Sequence, residues 1–138
     1  MVMNRKPAAV LEAYTRQLDA EHVLYRVDAG KRAVYTHFDG EHFRDVAFVM
    51  VFDGDGAACG LRVLSVARFT PAQLADAYEF CNRMNRTYRW LRLYVGDGNE
   101  LEASADAAVT PATAGVVCTE LLHRAVSIVD EVCRELGN

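Results

Sequence analysis

Thr70-Pro71-Ala72-Gln73-Leu74 begins the stretch that decides the fold, and Asn82-Arg83-Met84-Asn85-Arg86-Thr87-Tyr88-Arg89-Trp90-Leu91-Arg92-Leu93-Tyr94-Val95-Gly96-Asp97-Gly98-Asn99-Glu100-Leu101 carries it onward. Thr70 is an N-cap residue, Pro71 suits the first helical position, and Gln73 completes a capping box. Phe69 and Leu74 are spaced for a hydrophobic staple. At roughly 100° per residue, Leu74, Ala77, Tyr78, Cys81, Met84 and Tyr88 fall on one face of the helix. Asp76, Glu79, Arg83 and Arg86 fall on the other. Asn85 lands on the apolar face, between Leu74 and Tyr78. A buried amide must find a partner, so its side chain is expected to bond backbone at the helix end or in the hairpin that follows.

That hairpin has a readable parity. Leu91, Leu93 and Val95 alternate with Arg92 and Tyr94, and Leu101, Ala103 and Ala105 alternate with Glu100, Glu102 and Ser104. A loop with an even number of residues would set Leu93 against a glutamate on the wrong face, so the loop is odd. Gly96-Asp97-Gly98, with Gly98 left-handed, fits, and it places Arg92 opposite Glu102.

Outward from this core the order continues. A short amphipathic helix runs from Pro7 to about Leu18, with Val10, Leu11, Tyr14 and Leu18 at helical spacing. Val23 to Val27 and Ala33 to Phe38 read as strands around the turn Asp28-Ala29-Gly30-Lys31. Val46 to Phe52 is apolar without alternation, which predicts a strand covered on both faces. It ends at Asp53-Gly54-Asp55-Gly56, and another strand follows from about Gly60 to Ala67. The last helix opens at Thr110-Pro111 and ends before Gly137, a C′ glycine. Its polar stripe (Glu120, His123, Arg124, Ser127, Asp130, Glu131, Arg134) is narrow, so it packs on two partners: the sheet plus the first helix, or the sheet plus another subunit. Strands in runs broken by single helices predict an α+β fold with a small antiparallel sheet, in the order α-β-β-β-β-α-β-β-α.

The chain has 138 residues and one domain's length. A domain of this size buries roughly two thirds of its unfolded surface, so no metal or disulfide staple is required. The net charge of −4 points to no nucleic-acid or anionic-membrane partner. Met1 to Pro7 lacks the apolar core of a signal peptide, and no apolar run approaches the ~18 residues of a membrane span. Cys59, Cys81, Cys118 and Cys133 form no C-x-x-C pair. Cys118 and Cys133 lie about 22 Å apart along one helix, too far to bond. All four are expected as reduced, mostly buried thiols of a cytoplasmic protein.

The stretch Thr70 to Glu135 resembles the YbjN-type family of bacterial sensory transduction regulators. The matching features are the helix ending in Asn82-x-x-Asn85, Tyr88-Arg89-Trp90, the hairpin Leu91 to Leu101, and the Thr110-Pro111 opening of a long last helix. The upstream helix and strands agree in order, and the stretch Asp39 to Asp45 does not align. The resemblance implies a type III secretion chaperone-like fold, often paired as homodimers. It implies no catalytic residue, and Asn82, Asn85 and Trp90 serve as structural motif residues.

Chemistry-bearing groups are sparse. His37-Phe38-Asp39-Gly40-Glu41-His42, with Asp45, holds several potential metal ligands, but its spacing fits no zinc or calcium motif. It reads as a polar turn. Asp53-Gly54-Asp55-Gly56 has Leu64 where a calcium loop needs glutamate, so it reads as a hairpin turn. Arg83, Arg86, Arg89 and Arg92 lie beside Tyr88 and Trp90, which could stack bases. Glu79 is placed to pair with Arg83, and a solvated helix face is the simpler reading.

These readings together predict a non-enzymatic cytoplasmic module that binds protein, chaperone-like or regulatory, and pairs with itself. No cofactor, metal, nucleic acid or membrane is expected. The partner surface is expected around Tyr78 or along Phe48, Met50 and Phe52. The alternatives are a small metal- or ligand-binding protein or enzyme using His37 to Asp45, and a nucleic-acid binder using the arginine run.

Overall fold

The computed structural model describes residues 6–137, so the Met1 to Pro7 reading lies mostly outside the described residues. The elements are α1 (Lys6–Ala20), β1 (Arg26–Asp28), β2 (Ala33–Phe38), β3 (Val46–Phe52), β4 (Ala58–Arg68), α2 (Leu74–Thr87), β5 (Arg92–Gly96), β6 (Glu100–Ala108) and α3 (Ala114–Glu135). The six strands form one antiparallel sheet in the order β1-β2-β3-β4-β6-β5. This is the α+β architecture and element order that the sequence predicts.

One face of the sheet carries the core. Val34, Phe48, Met50, Phe52, Cys59, Leu61, Val63, Ala103 and Leu93 point to that side and are buried. Val10, Tyr14 and Leu18 of α1 meet them, as do Cys118, Leu122, Ala125, Val129 and Val132 of α3. α3 therefore packs on the sheet and on α1, the first of its two expected arrangements. Glu21, just after α1, and His123 of α3 hold the helix pair together at 2.6 Å.

Alternate residues point to the other face, where Arg26, His37, Arg62, Leu64, Arg92 and Asp106 are all exposed. β3 thus departs from its expected cover on both faces. Val49 is 4% exposed because Tyr35 and Arg62 flank it in register with long side chains, not because a helix lies over it.

The first strand is shorter than expected. His22 takes a left-handed φ of 58°, and Val23 N–H bonds the Leu18 carbonyl at 3.0 Å. This is a Schellman-type closure of α1. It uses the backbone of Val23 as a cap, and pairing begins only at Arg26. The turn after β3 forms as read: Gly56 N–H bonds the Asp53 carbonyl at 3.0 Å. Gly56 has φ of 69°, and a Cβ there would meet the Lys6–Pro7 backbone at 2.7 Å.

At α2, Gln73 Oε1 accepts the Thr70 N–H at 2.9 Å, and a single 3-10 turn, Pro71–Gln73, leads into the α-helix. The buried residues are Ala77, Phe80, Cys81 and Met84. The buried face is therefore rotated toward Phe80 relative to the expected one, and Tyr78 is 57% exposed. Asn85 lies on an exposed flank rather than in the middle of the apolar face.

Its hydrogen bonding is nevertheless the expected kind. Asn85 Oδ1 accepts the Leu93 N–H at 2.8 Å, and Asn85 Nδ2 donates to the Leu93 carbonyl at 3.0 Å. Asn82, by contrast, is exposed and makes no side-chain hydrogen bond among the described residues.

The hairpin loop is odd, and Gly98 is left-handed with φ of 74°. The loop is Asp97-Gly98-Asn99, however, one residue later than expected, so Val95 opposes Leu101 and Arg92 opposes Ser104. Asn99 also adopts a positive φ of 59°, which asparagine tolerates. That lets the turn sit one residue on without changing parity. Arg92 consequently reaches Ser104 at 3.0 Å and Asp106 at 2.7 Å, not Glu102.

Replacing Asn85 with alanine removes both bonds to Leu93. Asn85→Ala is expected to lower stability by about 1–3 kcal/mol, read as a lower urea midpoint at unchanged slope. A loss under about 0.5 kcal/mol would show that α2 and β5 are held together by packing alone.

Candidate functional site

Between the end of α2 and the start of β5 the chain has only Tyr88 to Leu91 in which to turn. Leu91 enters the core at 5% exposure, and Trp90 turns outward. Trp90 has φ of 79°, a region that a bulky side chain rarely occupies. Its ring is 50% exposed, and the Arg124 guanidinium of α3 lies 4.5 Å from the ring centroid. Glu120, one turn earlier, holds that guanidinium at 3.1 Å.

A depression of about 350 Å³ lies elsewhere, between α2 and the end of α3, lined by Phe69, Ala77, Phe80 and Arg83 among others. Trp90 itself separates two smaller ones. Tyr88, Arg89, Arg124 and Ile128 line the first, and Ala107, Val117 and Leu121 line the second. Tryptophan, tyrosine and arginine gathered in shallow relief are the residue types that dominate protein contacts. Nothing in the sequence singles out Arg124 as the partner of Trp90, because the two are far apart in the chain.

The expected partner residues divide sharply. Tyr78 stays on the surface. Phe48, Met50 and Phe52 are each 0% exposed, because this side of β3 faces the helices. They are core residues and are corrected as such.

The arginine run also separates. Arg83 lies over the Phe80 ring at 5.5 Å instead of pairing with Glu79, and Arg92 is tied to Ser104 and Asp106.

The His37 to Asp45 region is likewise divided. His37 points to the open face of the sheet, beside Tyr35 and Tyr25. His42 meets Asp130 of α3, a residue the sequence reading placed only on a polar stripe. Asp130 Oδ1 accepts the His42 backbone N–H at 2.7 Å, and Oδ2 lies 3.4 Å from His42 Nδ1. Glu41 brings a third potential ligand, all within 4.8 Å of one another. This set has the chemistry to hold a divalent cation. It also has a structural task that the geometry shows directly. Asp130 latches the β2–β3 loop onto α3, and Gly40 leaves room for the carboxylate and for the Phe43 ring. Within the loop, Asp39 caps the Asp45 N–H at 2.7 Å.

Burial works to raise the Asp130 carboxyl. The hydrogen bonds and charge of His42, with the backbone N–H of Glu41, outweigh it and hold the group below its ordinary range.

The fold and this surface define an α+β module with α1 and α3 over one face of an open antiparallel sheet and α2 against its β5 edge. The family described as "Putative bacterial sensory transduction regulator", YbjN, matches residues 8–138, and the chain belongs to that family. Among solved structures, the crystal structure of YbjN from E. coli, described there as a putative transcription regulator, has the same fold. It is similar with a TM-score of 0.62 at 10% identity, over 91% of this chain and 92% of that one. No curated protein matches the sequence.

The Asp130 latch makes a prediction with a defined sign. A depressed carboxylate contributes its stability in full above its unfolded value of 3.8 and loses it as the pH falls through the lower folded value. Asp130→Ala is therefore expected to cost about 1 kcal/mol at neutral pH, with the difference from wild type shrinking as the pH falls below 4. A gap that stays constant through that range in acid denaturation would assign the effect to packing.

Proposed function

We propose that the protein is a regulatory or chaperone-like binding module that works without catalysis, in the cytoplasm, as a homodimer. The observation that carries this reading is Trp90. A tryptophan held half-exposed at positive φ costs on the order of 1–3 kcal/mol in backbone strain. Half of its surface stays in water in the single chain. Its neighbours Tyr88, Arg89 and Arg124 complete a patch of contact-forming side chains. The description of the family as a regulator supports binding over chemistry, and no helix among the described residues is long and apolar enough to cross a membrane.

In this reading the Trp90 patch meets its own copy across a two-fold axis, which needs only a self-complementary surface. Tyr78 remains exposed for the regulated protein.

Light scattering at tens of micromolar protein (about the range in which weak dimers persist) is expected to give the mass of a dimer. Trp90→Gly removes the ring while suiting the left-handed backbone, so the variant is expected to stay folded by circular dichroism and run as a monomer. A monomeric wild type would overturn the homodimer. A dimeric Trp90→Gly would move the contact away from this patch.

A further inference from the structure

Cys59 and Cys118 lie 59 residues apart in the chain, yet their sulfurs are 3.5 Å from each other in the core. Cys59 projects from β4 between Phe52 and Ala107 of the neighbouring strands. Cys118 reaches it from α3. The pair is buried, at 1% and 0% exposure, and all four cysteines are free thiols.

Cys81 and Cys133 offer an internal contrast. Burial alone pushes the Cys81 thiol up. Burial, with Asp130 nearby, pushes Cys133 up to about 11. A thiol in that state is unreactive. Only Cys59 and Cys118 each have another sulfur as neighbour.

We propose that Cys59 and Cys118 are a peroxide-sensitive thiol pair that closes into a disulfide, stapling α3 to β4. The two sulfurs need to approach by about 1.5 Å to reach bonding distance. The two thiols share one contact in which either S–H can donate to the other sulfur. Either sulfur can attack while the other resolves; with Cys59 attacking, the bonds change as follows.

The Cys59 thiolate displaces hydroxide from a peroxide, forming an S–O bond as the O–O bond breaks, and the hydroxide takes up a proton to leave as water. Cys118 sulfur then attacks Cys59 Sγ. The S–S bond forms, the S–O bond breaks, and the second oxygen leaves as water with the Cys118 proton. Two thiols and one hydrogen peroxide become one disulfide and two waters.

A second unusual group lies in the same core. Tyr14 is fully buried, and its hydroxyl has no hydrogen-bond partner among the described residues. Burial first, then the nearness of Cys118 and Cys59, raises its ionisation far above the ordinary value, so it stays protonated in this part of the core. Both thiols are buried, so peroxide reaches them through a local opening of the core.

The test uses the full chain, folded, treated with hydrogen peroxide, then unfolded and alkylated. The expected result is two alkylated cysteines instead of four, an intact mass lower by about 2 Da before alkylation, and a linked peptide pair containing Cys59 and Cys118. Dithiothreitol is expected to restore all four thiols. The oxidised protein is expected to melt higher, by on the order of 5–10 °C for a crosslink closing a loop of this length. Four alkylated cysteines after native-state oxidation would overturn the proposal, as would a linkage through Cys81 or Cys133, or oxidation that occurs only in urea. These readouts are independent of oligomeric state.

Discussion

The two hydrogen bonds between Asn85 and Leu93 set the geometry on which the surface depends. β5 is an edge strand, and its Leu93 N–H and C=O point away from β6 toward α2. The Asn85 amide satisfies both, doing from a helix what a further strand would do, and so blunts the edge. It also ties the end of α2 to the second residue of β5. The short segment between them must then reverse within a fixed span. Leu91 takes the one inward place, and Trp90 is left pointing outward with a left-handed backbone. The Arg124 guanidinium lies against its ring and leaves half of the residue exposed.

The sheet has one dry side and one wet side, and this asymmetry explains which residues remain available for binding. α1 and α3 cover the side bearing Phe48, Met50 and Phe52 so completely that none of the three is reachable. The wet side carries arginines and acids with Leu64 among them, and its apolar row through Val49 is shielded by its neighbours' own length. Buried polarity is correspondingly rare. Thr36 Oγ1 donates to the Phe48 carbonyl at 2.8 Å, and the buried Tyr14 hydroxyl, without a partner among the described residues, stands as the exception.

Much of this was legible in the residues. The capping pattern at Thr70 to Gln73 and the turn at Asp53 to Gly56 are local events with local chemistry, and they form where they were expected; the hairpin loop keeps its odd parity. The misses come from tertiary choices. Asn99 accepts a positive φ nearly as well as glycine, so the loop moves by one residue and Arg92 changes partners. Tyr78 and Phe80 are both apolar and two residues apart, and only the docking of α2 beside β5 selects Phe80 for the core. An unalternating strand such as Val46 to Phe52 cannot distinguish cover by a helix from cover by long neighbours. The contacts of Asp130 with His42, Arg124 with Trp90, and Cys59 with Cys118 join distant parts of the chain, and no spacing encodes them.

The central claim is that the outward Trp90 ring is the residue that a second copy covers. The chain has one tryptophan, so its fluorescence reports on that ring alone. Emission measured across a dilution series spanning the dimer's dissociation is expected to move to longer wavelength as the protein becomes monomeric and the ring meets water. An emission maximum that stays constant while scattering records the loss of the dimer would contradict the account.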